Sequence, residues 1–99
     1  LSYYYSQMVD ASKNTMSPSS VTPNPNLKAN PWGWAVDPQG LYNSLSQYWD
    51  RYHKSIIIAE NGFGMYDKLE DGKVHDDYRI SYLSEHIAQM KRAMYDALT

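Results

Sequence analysis

Glu60 is the residue whose type and position most directly suggest chemistry. It follows an aliphatic run, Ile56-Ile57-Ile58, and Ala59, and it is followed at once by Asn61 and Gly62. An aliphatic run without alternation reads as a strand covered on both sides, so the carboxylate stands where that strand ends. Bringing a carboxylate to the rim of an apolar core costs solvation, and it therefore needs a hydrogen bond or a positive partner. The Asn-Gly pair lets the backbone turn sharply and keeps the carboxylate pointing along the strand. A carboxylate so placed can act as a nucleophile, a general base or a metal ligand. The plain alternative is a strand-terminal Glu that simply reaches water.

The other candidates are aromatic or titratable. Tyr (10) and Trp (3) make up all but one of the aromatic residues. Such amphipathic rings suit half-wet surfaces such as sugar-binding clefts, and they also serve as ordinary packing residues. Trp32 and Trp34 follow a Pro-rich stretch and either stack on a sugar or pin the loop; Trp34 is the one assigned to substrate binding. His53, His75 and His86 show no i, i+4 spacing, so no metal site is expected. Asp76 and Asp77 read as a helix cap rather than a cation site, because a helix N-terminus favours Asp. Arg79 and Glu85 read as structural or solvent-facing.

Composition narrows the classes further. The formal charge is -2 and the only adjacent basic pair is Lys91-Arg92, which gives no support for nucleic acid or a polybasic membrane contact. No apolar run approaches the length of a membrane span. The absence of cysteine removes disulfides and fits a reducing compartment. The expectation is a soluble, cytoplasmic protein with no cofactor.

The elements that would position Glu60 follow from pattern. Residues 1–9 are rich in β-formers and read as a short strand ending near Tyr5 or Met8. From Asp10 to Pro31 the chain is Ser, Asn and Pro, a loop of about twenty residues, too long to be an idle connection. Asp37-Pro38 opens a helix over 38–53, with Leu41, Leu45, Tyr48, Trp49 and Tyr52 on one face. A strand over 55–60 follows, then a second loop. A long helix over 76–98 carries Ile80, Leu83, Ile87, Met90, Met94 and Leu98 as its apolar stripe. The order is βαβα, which requires a parallel sheet, and two strands cannot complete one. The fold class expected is α/β, a slice of a larger fold. In (β/α)₈ barrels the working residues sit at the C-terminal ends of strands, where Glu60 is.

"IIIAENGFG" resembles the strand-seven signature of family 1 glycoside hydrolases. "LSYYYS" resembles the end of that family's strand six. "NPNLKANPWGWAVDPQGLYNSL", with its Trp-x-x-Asp-Pro-x-Gly-Leu pattern at Trp34 to Leu41, resembles the segment through helix six. "HDDYRISYLSEHIAQM" resembles helix seven. The Trp-Gly-Trp stretch with "VDPQGL" and "HDDYRI" looks most like the bacterial 6-phospho-β-glucosidase branch. The resemblance implies that residues 1–99 are strands six and seven with helices six and seven of a TIM (β/α)₈ barrel, truncated at both ends.

It also implies a retaining glycosidase in which Glu60 is the nucleophile and a phosphorylated β-glucoside the substrate. Tyr4 is implied to hydrogen-bond that nucleophile, holding it in place and favouring its charged form. Ser2 stands where the family often has Asn, so Tyr3 and Tyr5 are the neighbouring claimants. The family's Asn-Glu-Pro motif, which carries the acid, does not occur in these residues. The chain alone is therefore expected to be inactive and either to self-associate, to be partly disordered over 10–31, or to exist within a larger assembly. The competing readings are a β-glucosidase or β-galactosidase acting on unphosphorylated sugars, and a non-catalytic α/β assembly module.

Overall fold

Strand 1, β1 (Ser2–Tyr3), pairs in parallel with β4 (Glu60–Asn61), Ser2 opposite Glu60 and Tyr3 opposite Asn61. Between them in the chain come β2 (Met8–Val9), β3 (Val21–Thr22) and the helix α1 (Pro38–Tyr52). After β4 follow β5 (Leu69–Glu70), β6 (Lys73–Val74) and the helix α2 (Asp77–Ala97). This computed structural model describes residues 1–12 and 20–98. The expected disorder of the 10–31 loop falls partly on residues 13–19, outside the described residues.

The parallel pairing is the one anticipated, but the strands are shorter than expected: the first stops before Tyr5, and the second covers only the end of 55–60. Along Ser55–Ala59 the chain runs beside Leu1 with two bonds: the Leu1 amino group donates to the Ile57 carbonyl (3.0 Å) and the Ala59 N–H to the Leu1 carbonyl (2.9 Å). That pattern sets Leu1 opposite Ile58, whereas one residue later Ser2 is opposite Glu60. Ala59 is therefore an extra residue, a β-bulge.

The bulge decides which way Glu60 faces. Ile56 and Ile58 pack on the helix side, against Tyr3, Leu41, Leu45 and Ala93. In a regular strand Glu60 would share their side. The extra residue turns it to the opposite face, with exposed Ser2. The run is covered on one side only, since Ile57 is 78% exposed. Two short paired strands can cover only one face.

Both helices lie on the same face of the strands. Asp37 caps α1 by accepting the Gly40 N–H on its carboxylate (3.0 Å), and Pro38 occupies the first turn. The helix ends at His53, in the left-handed region at φ 49°, its N–H donating to the Trp49 carbonyl. Gly40 is required for packing: a β-carbon there would strike the Tyr3 hydroxyl, which donates to the Asp37 carbonyl (2.6 Å). Leu41 and Leu45 are buried, while Tyr48 and Tyr52 of the expected face are exposed.

In α2 the expected stripe is a correction. Ile80, Leu83, Ile87, Met94 and Leu98 are exposed, and only Met90 packs on the core. The inward positions are Tyr82, His86 and Ala93. Hydrophobicity pointed to the wrong face because the inward side chains are amphipathic rings: the Tyr82 hydroxyl bonds the Tyr4 carbonyl, and His86 Nδ1 meets the Tyr82 carbonyl one turn back. Asp76 holds the cap position, yet its carboxylate pairs with Arg79 (2.8 Å) rather than with a backbone N–H. Arg79 also bridges to Asp67 (2.9 Å), which fastens the second loop to α2.

Candidate active site

Four segments converge around Glu60. The bulge at Ala59 presents the carboxylate, and Tyr4, one residue beyond β1, reaches across to it. The Tyr4 hydroxyl donates to Glu60 Oε2 at 2.6 Å. The hydrogen bond expected from the sequence is thus present, and on Tyr4 rather than its neighbours. Tyr3 faces the helices and is buried, whereas Tyr5 lies against Trp34. The Tyr4 phenol is pushed above its ordinary pKa, first by this hydrogen bond to the carboxylate. It stays a donor throughout the neutral range.

Beside this pair stands an aromatic wall. Trp34 stacks on Tyr5 (centroids 4.9 Å, 19° between planes) and tilts against Tyr4 at 6.1 Å. Trp32 contacts Trp34 at 5.6 Å and donates its indole N–H to the Tyr66 hydroxyl (3.0 Å). Trp34 is half-buried and Trp32 is 46% exposed. Trp32 therefore offers more open ring than Trp34, the residue singled out from the sequence.

The wall is anchored by Asn30, which sequence reasoning passed over. Its side chain is buried; Oδ1 accepts from the N–H groups of Trp32 (3.0 Å) and Trp34 (2.9 Å), and Nδ2 donates to the Gly64 carbonyl (3.2 Å). One amide thus joins the loop before α1 to the loop after Glu60. Gly64 cannot carry a β-carbon, since the Trp32 ring occupies that space. The signal in the sequence was the Asn-Pro-Trp-Gly-Trp run, an Asx-type turn whose side chain satisfies backbone donors.

The loop after Glu60 also contains a hairpin read only as loop from sequence. Asp71 and Gly72 both have positive φ (50° and 74°) and join β5 to β6. A two-residue Asp-Gly connection is the standard signal for such a turn. Among the described residues no three His, Cys, Asp or Glu side chains converge to hold a metal ion. A groove of about 570 Å³ lies away from Glu60, between α1 and α2, lined by Trp49, Ile58 and Met94. Glu60 itself opens on the exposed face.

The family model for glycosyl hydrolase family 1 matches residues 1–99. The chain belongs to that family. Among its relatives, the phospho-cellobiase of Klebsiella oxytoca is 50% identical over 80% of this chain and 17% of its own length. The 6-phospho-beta-glucosidase AscB of Escherichia coli K12 is 40% identical over 98% of this chain and 22% of its own. A family 1 β-glucosidase from Thermotoga maritima superposes with a TM-score of 0.80 at 31% identity, over 96% of this chain and 21% of that one. The chain is an α/β portion of that barrel and spans about a fifth of the length of these relatives.

Proposed function

We propose that residues 1–99 are the sixth and seventh strand–helix units of a retaining β-glycosidase that hydrolyses 6-phospho-β-glucosides, with Glu60 as its nucleophile. The observation that carries this reading is the Tyr4–Glu60 hydrogen bond at the C-terminal end of two parallel strands, in a chain of this family. Tyr4 holds Oε2, so Oε1 is the oxygen that attacks the anomeric carbon. A glycosyl–enzyme ester forms as the glycosidic bond breaks. A second carboxyl group, about 5–5.5 Å away, protonates the departing oxygen and then takes a proton from the water that releases the sugar. That group is absent from these 99 residues, so the chain alone supplies one of the two carboxylates. The cytoplasm is the compartment proposed, since a sugar phosphate is an anion that does not cross a lipid bilayer unaided.

The phosphorylated substrate is supported by the names of the relatives at 40–50% identity. The unphosphorylated alternative rests on the likeness to a β-glucosidase at 31%. Assaying the full-length protein on an aryl 6-phospho-β-glucoside and on the matching aryl β-glucoside separates them. The expected result is a higher kcat/KM on the phosphorylated compound, lost in Glu60→Gln by on the order of 10³-fold or more. A preference for the unphosphorylated glucoside selects the second reading. Full activity in Glu60→Gln removes the catalytic one.

A further inference from the structure

Tyr82 lies on the inward face of α2 and is 3% exposed. Its hydroxyl donates to the Tyr4 carbonyl at 2.6 Å and accepts from Asn61 Nδ2 at 3.3 Å. The same Asn61 nitrogen donates its second proton to the Tyr3 carbonyl at 2.7 Å. One phenol therefore touches both strands where Tyr4 and Glu60 emerge: the backbone of Tyr4 itself, and the side chain next to Glu60. The ring is held in turn. It stacks on His86 (3.8 Å, 27°) and tilts against Phe63 at 5.3 Å.

Three features make this more than a filled interior. The β1–β4 ladder is only two residues long, so few backbone bonds fix the separation of the strands. The bulge at Ala59 interrupts the ladder just before Glu60, and a bulge loosens local pairing. The Asn61 and Tyr82 side chains bridge the strands where the ladder stops. Burial also pushes the Tyr82 phenol above its ordinary pKa, which keeps it a protonated donor.

We infer that Tyr82 is a positioning residue for the Tyr4–Glu60 pair, acting through the Tyr4 carbonyl and the Asn61 amide. The inference rests on the reading of Glu60 as nucleophile. Its physical content is a tolerance: reacting groups must be held to within about 0.5 Å, and a misplacement of 1 Å costs on the order of 10²-fold in rate. Asn61 connects the strands, and Tyr82 ties that connection to the rigid helix.

The test uses the full-length protein and whichever aryl glucoside is the better substrate. Tyr82→Phe keeps the ring and removes the hydroxyl. It should lower kcat by on the order of tenfold, part of the loss expected from a 1 Å displacement, and leave KM within about twofold. Tyr42→Phe is the matched control: it removes a hydroxyl bonded to Asp96, between α1 and α2 at a distance from the site, and should leave kcat unchanged. Equal losses in the two variants would mean general loosening of the fold and would overturn the inference.

Asn61→Ala cuts the other half of the link and keeps the test alive if Tyr82→Phe does not fold. It too should lower kcat with KM held, and unchanged kcat would overturn the inference. Combined, the two changes should cost clearly less than the product of the single losses, because they break one connection. A multiplicative effect would count against it. Glu60→Gln runs alongside. If it is inactive while Tyr82→Phe has normal kcat, the positioning role is wrong and the nucleophile stands. If Glu60→Gln is active, the underlying reading has failed instead.

Discussion

Where Glu60 and Tyr4 emerge, β1, β4, α2 and the two flanking loops are tied by side-chain hydrogen bonds through Tyr4, Asn61, Tyr82 and Asn30. At the opposite end of the same strands, Leu1, Ile56, Ile58, Leu45 and Met90 meet through apolar contact and leave the groove of about 570 Å³. Hydrogen bonds are directional and fix positions, whereas apolar burial is non-directional and supplies most of the stability. The difference teaches that aim and stability are assigned to different ends, as in barrels whose catalytic residues sit at the C-terminal face. Substitutions at one end should change rate, and at the other, stability.

The largest effect on stability belongs to the apolar end. Leu45 is 8% exposed and lines that groove, and Leu45→Ala should cost about 2–5 kcal/mol through lost burial and a residual cavity. Denaturant unfolding of the full-length protein measures this, and kcat per folded molecule should not move. A large fall in kcat without a change in stability would break the division between the ends.

Tyr4→Phe should do the reverse. Losing the donor to Glu60 should lower kcat by about 10–100-fold, within the range for a misplaced catalytic group, with little change in the unfolding midpoint. The Tyr4 phenol supplies a second readout. Its pKa is raised by the bond to Glu60, so in Glu60→Gln its titration, followed by NMR of labelled tyrosine, should fall toward the usual value near 10. An unchanged titration would mean the bond is not made in solution.

A smaller effect is expected from His86. Its Nδ1 lies 2.7 Å from the Tyr82 carbonyl, and its buried Nε2 has no partner among the described residues. Burial holds its pKa below the ordinary value. As pH falls below about 6.5 the unfolded chain takes up a proton that the folded chain still refuses. Stability should therefore decline from there downward, levelling below the folded pKa. His86→Phe should flatten that decline, seen by comparing unfolding midpoints at pH 7.5 and 5. A wild-type midpoint that rises on acidification would contradict the burial argument.

The smallest effect is predicted for Ile87, on the exposed stripe of α2. Ile87→Ser in the isolated chain should change stability by about 0.5 kcal/mol or less, as at other exposed positions. A larger loss, dependent on protein concentration, would show that copies of the chain cover the stripe, self-association being one of the three outcomes expected from sequence.

Much of this was legible beforehand, for reasons that can be named. Asp37-Pro38 and Leu41 set the start and inner face of α1, because caps and periodicity are local signals. The parallel pairing followed from a strand–helix–strand order that admits little else. The Tyr4–Glu60 contact came from the family resemblance. The bulge at Ala59 was not legible, because register depends on which residues of a distant strand are opposite. The inward face of α2 was misread because Tyr82 bonds across the interior to the Tyr4 carbonyl and His86 stacks on its ring, while the more hydrophobic Ile80 and Ile87 face outward. Asn30 escaped because its bond to the Gly64 carbonyl joins two loops that meet only in the folded chain.

The central claim, that Glu60 is the nucleophile, is tested most directly by trapping. The full-length protein is incubated with a 2-deoxy-2-fluoro-β-glucoside 6-phosphate bearing a good leaving group, which slows release of the glycosyl–enzyme ester, and then digested for mass spectrometry. The account predicts a single added fluorosugar phosphate on the peptide containing Ser55 to Gly64, with fragmentation assigning it to Glu60. A stable label on another carboxylate, while Glu60 stays unmodified, would contradict it.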